Sequence, residues 1–122
     1  MISRIEWATR AIAQPAAIQL SLFPEFVEAS DELALSWEQA YNEFQNDKSS
    51  HSDSQRCALE NLDKYMSTIS GSVFSDIWTT EGLFYSLEWQ KMRELAKVIL
   101  LAMGWPDEVP PQIQDIYVGN EK

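Results

Sequence analysis

The longest regular pattern in the chain is a stripe of mostly apolar positions at Phe23, Val27, Ser30, Ala34, Trp37, Tyr41 and Phe44, separated by alternating steps of four and three. Such spacing returns to one face of an α-helix, and Phe26, Leu33 and Ala40 broaden that face to the width a core-facing helix needs. With Pro24 at a first helical position, the pattern predicts a helix from Pro24 to Asp47, roughly 36 Å long. An earlier helix over 3–14 follows from Ile5, Ala8, Ala11 and Ile12; Ser3 and Glu6 have capping-box spacing and Pro15 stops the run. Ala58, Leu62, Tyr65 and Ile69 predict a helix over 54–69, capped by Asp53 or Ser54 and ended at Ser70-Gly71-Ser72. Trp89, Met92, Leu95, Ile99 and Leu100 predict another, capped by Ser86 and stopped by Gly104 and Pro106.

The connecting stretches differ in character. Lys48 to Ser54 is polar and aperiodic, as a loop would be. Residues 73–85 are rich in aromatic groups without a sustained period, which predicts one or two short helical turns packed on the core. Residues 15–24, bounded by Pro15 and Pro24, are expected to run as an extended linker. After Trp105 come Pro110-Pro111 and then Ile113, Ile116, Tyr117 and Val118, so 105–122 is expected to form a C-terminal arm over part of the bundle. The expected architecture is therefore all-α: one domain over 1–122, a helical bundle of about four helices with an extended linker and an arm.

Composition narrows the functional classes. A length of 122 residues suits one domain with a real core, and 45% hydrophobic residues with five Trp exceed what a disordered acidic segment carries. Nineteen acidic against nine basic side chains give a formal charge of −10, which repels phosphate backbones and anionic membranes. Any contact with nucleic acid is thus expected to run through a protein. No apolar run approaches the ~20 residues that span a bilayer, and Met1 to Trp7 lacks the basic and apolar regions of a secretion signal. The single Cys57 fits a reducing compartment, so a cytoplasmic location is expected.

The outer face of the longest predicted helix carries Glu25, Glu28, Asp31, Glu32, Glu38 and Glu43, with no Lys or Arg before Lys48. Glu25 and Glu28 are expected to favour the positive end of that helix. The others form a solvated face whose plain role is solubility and whose sharper role is an acidic docking surface. Catalytic chemistry has little to stand on. His51, Asp53 and Cys57 fit no zinc spacing, and His51 lies in a Ser-rich loop that would not fix a nucleophile pair. There is no phosphate-cradling glycine loop. A non-enzymatic protein without metal or cofactor is expected.

One short motif stands apart. Gln19-Leu20-Ser21-Leu22-Phe23 resembles the Q-L-[SD]-L-F peptide with which bacterial replication and repair proteins dock on the DNA sliding clamp. The resemblance covers five residues and implies a partner rather than a fold. It implies Gln19 as polar anchor, Leu22 and Phe23 as apolar plug, Leu20 as a secondary contact and Ser21 as the least constrained position. The competing reading has Leu20, Leu22 and Phe23 pinning the linker to the core, with Phe23 stapled against Val27. Three functions follow: an adaptor or competitor at the sliding clamp; a small acidic inhibitor or immunity-type protein that blocks a basic nuclease or nucleic-acid-binding partner; or a homodimeric helical interaction subunit. Exposure of Gln19, Leu22 and Phe23 separates the first from the others.

Overall fold

A computed structural model describes residues 2–46 and 51–111. Among these residues every regular element is helical: α1 (Arg4–Ala13), α2 (Ala16–Ser21), α3 (Ala29–Gln45), α4 (Asp53–Thr68), a 3₁₀ segment (Ser72–Trp78), α5 (Thr80–Tyr85) and α6 (Leu87–Met103). The expected all-α bundle is the observed one. Around it α3, α1, α6 and α4 follow in that order, α1 packing on both α3 and α6, and α6 on α4. By contrast, α3 and α4 approach each other only briefly.

Local chemistry explains most of the boundaries. The Ser3 hydroxyl accepts from the Glu6 N–H at 3.2 Å, starting α1, while the Glu6 carboxylate turns to Arg10 instead of closing the box. Ser52, not Asp53 or Ser54, caps α4, and with Gln55 it makes a complete capping box. Ser86 caps α6 and Gly104 ends it at φ 73°, a left-handed conformation that a Cβ would strain. The aromatic stretch 73–85 forms the expected short turns, the 3₁₀ segment and α5. They meet at Gly82, where a Cβ would run into the carbonyls of Asp76 and Ile77.

The core is built from the predicted stripes. Leu33, Trp37, Leu59, Leu62, Met92 and Ile99 are fully buried, and a leucine taken from water to such a site contributes about 2 kcal/mol. The buried tryptophans also find acceptors: Trp37 Nε1 donates to Asp63 Oδ1 at 3.1 Å, and Trp89 Nε1 to the Ile77 carbonyl at 2.9 Å.

Two expectations about the first third of the chain are overturned. The helix predicted from Pro24 starts at Ala29, because Pro24 to Val27 folds into a turn closed by the Val27 N–H on the Pro24 carbonyl. Phe26 consequently leaves the buried stripe and is 80% exposed, and the acids in the first helical turn are Asp31 and Glu32, not Glu25 and Glu28. Phe23 meets the edge of Trp7, ring centroids 6.1 Å apart. The second correction is the linker: 15–24 is not extended but contains α2. Proline is compatible with a helix start, where the first N–H groups have no intrahelical acceptor, and the Pro15 carbonyl accepts the Gln19 N–H at 2.9 Å.

The first part of the expected arm lies across α1. Arg10 donates from Nε to the Glu108 carbonyl at 3.0 Å and from Nη2 to the Val109 carbonyl at 3.1 Å, and Trp7 Nε1 donates to the Pro111 carbonyl at 2.7 Å. The expectations for 47–50 and 112–122 fall outside the described residues.

Candidate protein-docking surfaces

The clamp-like pentapeptide is positioned by α2 and the turn that follows it. Gln19, on the inner side of α2, is 0% exposed. Its Nε2 donates to the carbonyls of Ala11 at 3.2 Å and Ile12 at 2.9 Å at the end of α1, where the Ala11 carbonyl also accepts the Gln14 N–H. Its Oε1 accepts from Arg93 Nε at 3.3 Å and Nη2 at 3.1 Å. Arg93 also donates to the Leu83 carbonyl and lies 5.9 Å over the Trp89 ring. Burial pushes its guanidinium below the ordinary arginine value. One amide thereby joins α1, α2 and α6, and through Arg93 it reaches α5.

Leu22 and Phe23 are buried in the same core, whereas Leu20 and Ser21 face solvent. The side chains that the resemblance implies as anchor and plug therefore point inward, and those implied as secondary or unconstrained point outward. Gln19, Leu22 and Phe23 do not form a surface in this fold.

The acidic residues have the opposite disposition. Glu25, Glu28, Asp31, Glu38 and Glu43 are exposed and Glu32 is half-buried. Glu43 pairs with Arg4 at 3.3 Å and Glu28 accepts from Thr80 Oγ1 at 3.0 Å. Asp31 and Glu38 have no basic partner among the described residues. Burial, then the neighbouring charges of Glu28 and Glu32, hold the Asp31 carboxyl above the ordinary carboxylate value. Leu35 stands among these groups, 46% exposed. Helical spacing places Asp31, Glu32 and Glu38 around it, one turn before and one turn after.

Beside this face the loose seam between α3 and α4 opens a cleft of about 300 Å³. Asp31, Ala34 and Glu38 line it from α3, Asp63 and Met66 from α4, and Trp78 from the 3₁₀ segment. Among the described residues no Lys or Arg lines it. Trp78 is held in place by its Nε1 donating to the Ile69 carbonyl at 2.9 Å, and Asp63 is oriented by the Trp37 indole. The negative field extends past the cleft: the Tyr41 hydroxyl is pushed up by burial and then by Asp63 and Glu60, while a Gln45 hydrogen bond pulls the other way.

The sequence placed the carboxylates of α3 on a common side but missed Leu35 and the cleft. Leu35 was detectable as a leucine off the apolar stripe. Asp63, Met66 and Trp78 join the site only through tertiary packing. Elsewhere, the His51 ring lies 4.9 Å from Phe44 and Cys57 is exposed. Among the described residues no three His, Cys, Asp or Glu side chains converge as metal ligands would, and no helix is long and apolar enough to cross a membrane. No protein-family model, curated protein or solved structure matches the chain.

Proposed function

We propose that this chain is a non-enzymatic protein-binding module that captures a basic protein on the acidic face of α3, as a small inhibitor or immunity-type protein covers a basic nuclease or nucleic-acid-binding partner. The observation that carries the reading is the exposed Leu35 ringed by Asp31, Glu32 and Glu38. A protein interface commonly has this composition, an apolar centre with a polar rim. The carboxylates of Asp31 and Glu38, which have no basic partner among the described residues, would steer a cationic partner and make association fall with salt. Two copies of the chain, each at −10, would repel one another through this face, which favours a basic partner over self-association. Docking through Gln19 to Phe23 would require α2 to leave the core.

The test is direct binding of the purified chain to purified basic nucleases and to a purified bacterial sliding clamp, at low and high salt. A triple Glu25→Lys/Glu28→Lys/Glu32→Lys variant serves as the comparison. The expected result is capture of a basic partner that weakens steeply with salt and by roughly a hundredfold in the variant, with no clamp binding. Clamp binding that is equal in the two proteins, or partner capture indifferent to the three reversals, overturns the reading.

A further inference from the structure

We propose that the cleft between α3 and α4 is the seat for one arginine side chain of the basic partner; this rests on the α3-face reading. The space of about 300 Å³ lies at the small end of ligand sites, enough for a single long side chain and too little for an inserted helix. Its walls divide as an arginine does. Ala34, Met66 and Trp78 give the lining apolar surface suited to the methylene stem, and Asp31, Glu38 and Asp63 give it acceptors suited to the head group.

Charge complementarity identifies the occupant. Three separate carboxylates, Asp31, Glu38 and Asp63, line the cleft, with no Lys or Arg beside them among the described residues. A compact metal ion is a poor fit, since no three ligand side chains converge among the described residues. A guanidinium suits separated acceptors because its five donors fan out in a plane, and that plane stacks on aromatic rings better than a strongly hydrated ammonium does. Trp78, fixed by its bond to Ile69, offers such a ring in the lining. Trp37 occupies Oδ1 of Asp63, which leaves the other carboxylate oxygen without a partner among the described residues.

The experiment is an amide and indole NMR titration of the whole chain with N-acetyl-arginine methylamide, with the lysine and citrulline analogues alongside. Arginine is expected to shift the Trp78 indole together with the amides of Asp31, Ala34 and Ser67. Lysine should act roughly tenfold more weakly and the neutral citrulline not at all. An Asp31→Asn/Glu38→Gln pair should abolish the response, while Glu25→Gln/Glu43→Gln should leave it intact. Shifts spread evenly along α3, equal responses to arginine and lysine, or no response at Trp78 overturn the proposal. The two readings fail separately: the triple reversal at Glu25, Glu28 and Glu32 lies outside the cleft, so salt-sensitive capture with a silent cleft removes the arginine seat alone.

Discussion

Gln19 and Asp31 are both polar residues on helices that border the core, and they have opposite fates. Gln19 sits where α1, α2 and α6 close on one another, and both ends of its amide are bonded. Asp31 sits where α3 and α4 stay apart, without a basic partner among the described residues, its carboxyl raised by burial and then by the charges of Glu28 and Glu32. The difference shows that a recognition-like sequence is not itself a recognition surface. What a partner can use is hydrogen-bonding capacity and charge that the fold has not already satisfied. The closed seam has none to offer at Gln19; the open one has it in quantity.

The comparison is most sharply broken by emptying the closed seam. Leu22→Ala should cost about 3 kcal/mol as a buried cavity opens, and Gln19→Ala about 2–3 kcal/mol, because the Ile12 carbonyl loses its side-chain donor and the Ala11 carbonyl and the half-buried Arg93 guanidinium each lose one of their bonds. Urea denaturation of either variant checks this; a loss below about 0.5 kcal/mol would mean that α2 is not part of the core. At the junction between the seams, Trp37→Phe should cost about 1–2 kcal/mol, since it removes the bond to Asp63 and part of a buried ring. The same melts should resolve it.

The open seam should behave differently. Leu35→Ser is expected to leave stability within about 0.5 kcal/mol while weakening the basic partner by roughly tenfold, measured by calorimetry. The smallest effect concerns pH. Because the Asp31 carboxyl is raised in the fold above 3.8, its ionised form disfavours folding at neutral pH. That penalty is relieved as pH falls through the folded value towards 3.8, where the fold holds the extra proton. Asp31→Asn should therefore be slightly the more stable protein at neutral pH, by less than about 0.5 kcal/mol for so exposed a group, and the advantage should fade on acidification. Paired thermal melts across that range test the sign.

Legibility followed the range of the forces involved. Ser3, Ser86 and Gly104 could be read as helix ends because a cap acts within three or four residues. The all-helical class was legible for a related reason: periodic stripes such as Trp89, Met92 and Ile99 repeat within one element. α2 was missed because prolines bound helices as readily as they break them, and the choice at 15–24 fell to Gln19, whose partner Arg93 is 74 residues away. The acidic face could be read from α3 alone. Its cleft could not, because Asp63, Met66 and Trp78 reach it from elements with no sequence link to Asp31.

The clasp of Arg10 on the backbone of Glu108 and Val109 also sets a schedule for the chain as it is made. These partners lie 98 and 99 positions later, so at synthesis rates of ~5–20 residues per second α1 waits about 5–20 s for them. Until then the local carboxylate of Glu6, which is on the same helix and emerges first, is available to its guanidinium. The i,i+4 pair, which the fold keeps at 3.1 Å, thus holds early a side chain whose other acceptors are among the last of the described residues to be translated.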